Sequence, residues 1–222
     1  MSEAGIKVVL FDLGNVLVDF DLKPAIKRIS NFCNKGSEGI SKLFLNSGAA
    51  NSFEKGELSP EEFYKQAKDM LEIKLGYESF VPIWNEIFFF SSKNRAVYHI
   101  ANRLKENYRI CLLSNTNILH YNYIKDNFPV FSIFERLFLS FEMGAAKPDK
   151  LIYEKATRAL GVSPENIFYT DDRPELVNSA AALGIKSFIF TSAEQLIKDL
   201  SSLNIALADT RDSFLPEAFL GY

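Results

Sequence analysis

Two cysteines, two histidines and one tryptophan in 222 residues exclude several kinds of chemistry at once. Cys33 and Cys111 lie far apart, and Cys111 falls inside an apolar run, so neither a disulfide framework nor a thiolate metal cluster is supported, and a reducing compartment is expected. His99 and His120 are too few and too separated for a zinc site. His99 reads as a packed or surface residue of a helix. Neither a P-loop nor a GxGxxG pattern occurs, which removes nucleotide binding by those routes. No apolar run approaches the length of a membrane span. The start, MSEAG, leads into a strand-like segment without a basic flank or a long apolar core, so a cytoplasmic location is expected. Excess charge is missing too: 25 Lys and Arg against 28 Asp and Glu give a net charge of -3. With no basic stretch beside aromatics, neither nucleic acid nor an anionic membrane is expected as a partner. Internal repeats and low-complexity tracts are also absent.

What is present is apolar material, 47% of the residues, enough for one substantial core and a smaller satellite cluster. Residues 6–11 (IKVVLF) read as a buried parallel strand that stops at Asp12. From about Lys23 the texture turns helical, through PAIKRISNFC, EGISKLFLN, ELSPEEFYKQAKDMLEI and ESFVPIWNEIF. Ser59 followed by Pro60 is a helix start, with Ser59 as the cap and Pro60 in the first helical position. Phe44, Phe53, Phe63, Tyr64, Phe80 and Trp84 recur at spacings that let these helices share a core, which predicts an all-helical insert.

Helix and strand then alternate. KNRAVYHIANRLK leads into the strand YRICLL; FSIFERLFL is a helical or irregular stretch with a strand-like end; DKLIYEKATRALG is a helix stopped by Gly161. The strand in SPENIFYT, the helix PELVNSAAALG ending at Gly184, the strand IKSFIF and the helix AEQLIKDLSSL complete the series. Alternation of this kind predicts an α/β fold, a doubly wound parallel sheet with helices on both faces. The expected division is a core of residues 1–16 and 96–222 with a helical cap domain at 17–95. Past the last helix, Phe214, Leu215, Phe219 and Tyr222 are expected to dock on the core or on a second subunit; monomer and homodimer both stay open.

In such a sheet, functional residues lie beyond the carboxyl ends of the strands. Asp12, Ser114 with Asn115, and Asp171 with Asp172 all fall there, and Lys147 precedes Pro148. Any one of these alone reads equally well as a turn or cap residue; the set reads as phosphoryl-transfer chemistry. A rigidly held aspartate can attack phosphorus when a hard divalent ion such as Mg²⁺ offsets the negative charges, and Asp12 and Asp171 suit the carboxylate roles. Gly14 would let its carbonyl approach the ion closely. Ser114 and Asn115 offer donors to the phosphoryl oxygens, and Lys147 offers positive charge to the transition state.

FDLGNVLVD at 11–19, LSNTN at 113–117, KPDKLIYEKA at 147–156 and FYTDDRPELVNSAAALGI at 168–185 resemble the four ordered motifs of the haloacid dehalogenase superfamily. The first two are most similar to the subgroup with a small helical cap that includes bacterial α-D-glucose-1-phosphate phosphatases, and FEKGELSPEEF looks like part of that cap. The resemblance implies a phosphoric monoester hydrolase of small phosphorylated metabolites, sugar phosphates such as glucose 1-phosphate in particular, with Asp12 forming an aspartyl-phosphate intermediate. It implies that Ser114, Asn115 and Lys147 hold the phosphate and that Asp12, the Gly14 carbonyl and Asp171 hold Mg²⁺. Asp172 and Glu175 match acidic positions that bind the ion, hold its waters or orient Lys147; the alternative for each is an acid that favours a helix first turn.

One departure stands out. Most phosphatases of the superfamily carry a second aspartate two residues after the nucleophile, as general acid and base, and here that residue is Gly14. Its loss alone would cost roughly 10²- to 10⁴-fold. Asp19, Asp21 and Glu54 are stand-ins by position. Two other readings remain: a 2-haloacid dehalogenase, which needs no metal and would be hindered by the charges of Asp171 and Asp172, and a catalytically weak binding or regulatory member of the fold.

Overall fold

The computed structural model describes residues 5–207, so Phe214, Leu215, Phe219 and Tyr222 lie outside the described residues. In chain order the elements begin with β1 (Val8–Phe11), β2 (Asp19–Phe20), α1 (Lys23–Ser30), α2 (Ser37–Asn46), α3 (Gly48–Glu54), α4 (Pro60–Leu71), α5 (Tyr77–Asn85) and β3 (Phe88–Phe89). There follow α6 (Ser92–Leu104), β4 (Arg109–Ser114), α7 (Ile118–Asn127), β5 (Arg136–Leu139), α8 (Ser140–Met143), α9 (Lys150–Leu160), β6 (Ile167–Asp171), α10 (Pro174–Ala181), β7 (Lys186–Ile189) and α11 (Ala193–Ser202). A short 3₁₀ turn at Pro129–Ile133 occupies the irregular start of FSIFERLFL.

Five strands form a parallel sheet in the order β5-β4-β1-β6-β7. β1 is central and entirely buried, which is why it is a continuous apolar run. Alternation along the strands builds two layers. Val9, Phe11, Ile110, Leu112 and Phe168 pack with residues of α6, α7 and α11. Val8, Leu10, Cys111, Leu113, Ile167 and Tyr169 pack with α9 and α10 on the other side. This is the expected doubly wound architecture. No helix among the described residues is long and apolar enough to cross a membrane.

The helices inserted between β1 and α6 make their own cluster around Ile29, Phe53, Phe63, Phe80 and Trp84. Phe53 stacks on Phe63 at 4.5 Å between centroids, and Phe63 leans on Trp84 at 4.6 Å. At the start of α4 the Ser59 hydroxyl accepts from the Glu62 amide while the Glu62 carboxylate accepts from the Ser59 amide, a reciprocal cap. The insert is not all helical, as its spacing suggested: β2 and β3 pair antiparallel where the chain leaves and re-enters the core. Two residues per strand carry too little periodicity to register in a sequence.

The junction is tied by polar groups as well. The Asp19 carboxylate accepts from Ser91 Oγ at 2.7 Å and Asn94 Nδ2 at 3.2 Å and pairs with Lys93 at 2.6 Å. On the opposite wall His120, in the first turn of α7, lies 3.1 Å by Nε2 from the Trp84 carbonyl of the cap and stacks on the Trp84 ring. Burial holds this imidazole's pKa down at about 4.

Candidate active site

The parallel register sets Phe11 beside Leu112 on one side and Thr170 on the other, so the chain leaving β1 emerges between the ends of β4 and β6. The Asp12 amide donates to the Thr170 carbonyl at 3.0 Å, which carries the pairing one residue past the strand. Asp12 and Asp171, distant in sequence, therefore become neighbours. Lys147 reaches them from the loop ahead of α9. Its Nζ donates to Asp12 Oδ1 and to Asp171 Oδ2 at 2.6 Å each, and to the Leu113 carbonyl at 3.1 Å. Its side chain is 1% exposed. Asn115, just beyond β4, fixes that loop through two bonds, donating from Nδ2 to the Lys147 carbonyl and accepting the Lys147 amide at Oδ1, both at 2.8 Å. Ser114 is buried at the end of β4.

Asp12, Asp171 and Asp172 each present a carboxylate oxygen, and these lie within 4.8 Å of one another. With Lys147 counted, three negative charges face one positive charge. The imbalance is felt at Asp12, whose pKa burial raises to about 7, with Asp171 and Asp172 adding to the rise and Lys147 opposing it. A divalent cation would remove the imbalance, and three carboxylates are the hard donors that Mg²⁺ takes. These residues fit such an ion. A Cβ at Gly14 would lie 3.9 Å from Asp12 Oδ2 and 3.4 Å from the Phe20 ring, so a longer side chain there would share the space beside Asp12.

Several contributors carried no assigned role from sequence. Asn15 occupies the left-handed region at φ 56°, and its Nδ2 holds Asp172 Oδ2 at 2.9 Å. The Tyr169 hydroxyl donates to Asp171 Oδ2, and the Arg173 amide donates to Asp171 Oδ1 at 2.9 Å. Tyr169 is two residues before Asp171 on one face of β6, so strand periodicity could have found it. Ser140 accepts the Thr116 amide and donates to the Thr116 carbonyl, both at 2.9 Å, bracing the loop after β4 from the next strand over; no local sequence signal marks that pair.

Glu175 is not brought into the carboxylate group. It is exposed in the first turn of α10, where its own backbone amide and then its partner Arg173 lower its pKa. Asp19 is consumed at the junction, as described above. The Asp21 carboxylate caps the Lys23 amide at 2.9 Å. Glu54 differs from both. It is partly exposed, and desolvation by the protein around its carboxyl pushes its pKa up to about 7, against the pull of Arg173 and Lys147.

Residues 6–184 match the sequence pattern of the haloacid dehalogenase-like hydrolases. Among curated proteins, a D-ribitol-5-phosphate phosphatase of Bacteroides thetaiotaomicron is 25% identical over 189 residues, covering 82% of this chain and 91% of its own. A haloacid dehalogenase family enzyme of the same organism, solved with magnesium and inorganic phosphate, superposes with a TM-score of 0.74 at 29% identity, over 85% of this chain and 96% of that one. A Porphyromonas gingivalis structure described as a predicted hydrolase of the same family gives 0.74 at 26% identity, over 95% and 100%. An L-2-haloacid dehalogenase at 16% identity, with a TM-score of 0.63 over 89% and 100%, shares the fold.

Proposed function

The chain belongs to the haloacid dehalogenase-like hydrolases, and from that premise we propose that it is a magnesium-dependent phosphatase of small phosphorylated metabolites, sugar or polyol phosphates first among them. The observation that carries this reading is the group of buried Asp12, Asp171 and Lys147 with half-buried Asp172 at the carboxyl ends of β1 and β6. Magnesium and phosphate in the B. thetaiotaomicron structure support the metal and the phosphoryl group, and the ribitol-phosphate activity of the curated relative supports a small polyhydroxylated leaving group. Glucose 1-phosphate remains the substrate suggested by the motif resemblance; its anomeric alkoxide leaves readily. A halide leaving group is disfavoured by the carboxylates beside the nucleophile.

In this reading Asp12 attacks phosphorus and carries the phosphoryl group as an acyl phosphate. Lys147 orients the Asp12 carboxylate before attack and offsets charge on the phosphoryl oxygens during it, while the Ser114 hydroxyl and nearby backbone amides donate to those oxygens. Asn115 keeps the lysine loop in place. Bound magnesium, held by Asp12, Asp171, Asp172 and the Gly14 carbonyl, would neutralise the carboxylates and polarise the phosphate. The helices of the insert lie over this end of the sheet and would enclose a small substrate, excluding bulk water.

A panel of sugar, polyol and aryl phosphates, assayed for phosphate release with magnesium and with EDTA, tests the proposal. Release that requires magnesium and disappears in Asp12→Asn is expected. Full activity in EDTA, or in Asp12→Asn, would refute it.

A further inference from the structure

Among the carboxyl groups of the helical insert that the chemistry above leaves unused, Glu54 is set apart by its place. Glu54 is the last residue of α3, where the cap approaches the core. The residue is partly exposed, and among the described residues its carboxyl makes no hydrogen bond or ion pair. The charges that act on it come from the core: Arg173 ahead of α10, whose backbone amide donates to Asp171, and Lys147 ahead of α9, whose Nζ does. Its position is also fixed. Two residues later Gly56, at φ +70°, runs so close to α8 that a Cβ would stand 2.2 Å from the Phe141 carbonyl oxygen. The turn carrying Glu54 therefore lies flat against the core on the active-site side.

Of the three acids that sequence position suggests as replacements for the side chain missing at Gly14, Asp19 is saturated by Ser91, Lys93 and Asn94, and Asp21 caps α1. Of the three, Glu54 alone makes no hydrogen bond or ion pair among the described residues and feels the charges of Arg173 and Lys147. We propose that Glu54, presented by the cap, is the general acid and base of the reaction, protonating the leaving oxygen and then activating the hydrolytic water.

The Asp12 oxygen bonds to phosphorus while the bond from phosphorus to the leaving oxygen breaks, and that oxygen takes the Glu54 proton and departs as an alcohol. Water then gives a proton to the Glu54 carboxylate as its oxygen bonds to phosphorus. The bond between Asp12 and phosphorus breaks, which restores both side chains and releases phosphate. A carboxyl raised to about 7 keeps its proton in part at neutral pH, as both halves of this cycle require.

The inference rests on the phosphatase reading, and the test separates the two. Wild type, Glu54→Gln and Glu54→Asp are compared in kcat/KM on an aryl phosphate with an acidic phenol and on a polyol phosphate with a basic alkoxide. Glu54→Gln should lose roughly 10²- to 10⁴-fold on the polyol phosphate and less than about tenfold on the aryl phosphate. Glu54→Asp should recover part of the loss, and the alkaline fall of the wild-type polyol profile should be missing from Glu54→Gln. Equal losses on both substrates, or none, would overturn the proposal and leave the phosphatase reading intact. If Glu54→Gln does not fold, the wild-type profiles decide: an alkaline fall on the polyol phosphate that is absent on the aryl phosphate supports Glu54, and identical profiles overturn it. Phosphate release from no substrate by wild type would defeat the phosphatase reading itself.

Discussion

Replacing Lys147 with Met should expose how the carboxylate group is held together. The ammonium is the shared partner of two buried carboxylates, with side-chain exposures of 9% for Asp12 and 0% for Asp171, so methionine keeps the packing and removes the charge. Breaking a buried ion pair from one side costs about 3–5 kcal/mol, because the remaining charge stays buried without compensation. The loss should depend on pH with a definite sign. The Asp12 pKa is raised from 3.8 to about 7 in the fold, so the folded protein binds more protons than the unfolded chain across that window, and this residue's contribution falls as pH rises through it. Lysine is one of the groups holding that pKa down, so its removal extends the window upward and deepens the loss at high pH. Urea unfolding of both proteins in EDTA should show the full loss at pH 8 and about half of it at pH 5, where Asp12 is protonated. Magnesium should return more stability to Lys147→Met than to wild type at pH 8, since the cation replaces the missing charge. A loss under about 1 kcal/mol at pH 8, or an equal loss at both values, would refute this account of the site.

Two further outcomes concern the contacts between cap and core. His120 has a pKa lowered from 6.5 to about 4, so the fold favours its neutral form; its stabilisation is complete above 6.5 and is lost as pH falls toward 4, by up to roughly 3 kcal/mol. Thermal melts of His120→Gln should show a shallower acid decline than wild type, and parallel curves would exclude the histidine as its source. Gly56→Ala combines a left-handed backbone with the close Phe141 carbonyl, so it should destabilise by at least about 1 kcal/mol and reduce kcat/KM; denaturation and kinetics indistinguishable from wild type would show that this turn is not held against α8.

Sequence by itself determined the local elements and the residue types at the ends of the strands. Continuous apolar runs such as VVLF are strands buried on both faces, Ser59 and Pro60 start α4, and Gly161 at φ +68° ends α9, because burial, capping and left-handed backbone are local matters written into single side chains. The alternation of helix and strand was enough to imply a parallel sheet, and with it the edge where Asp12, Ser114 and Asp171 would lie. Tertiary structure decided which of the remaining polar residues meet them. Glu175, in the first turn of α10, faces solvent beside Arg173, while Asn15 and Tyr169 hold Asp172 and Asp171. It also distinguished three acids that are equivalent by position: Asp19 is spent on the junction, Asp21 on a helix start, and Glu54, at the end of α3 in the cap, makes no hydrogen bond or ion pair among the described residues. The difference lies in burial and in partners drawn from far along the chain, and a sequence does not display what surrounds a carboxylate in space.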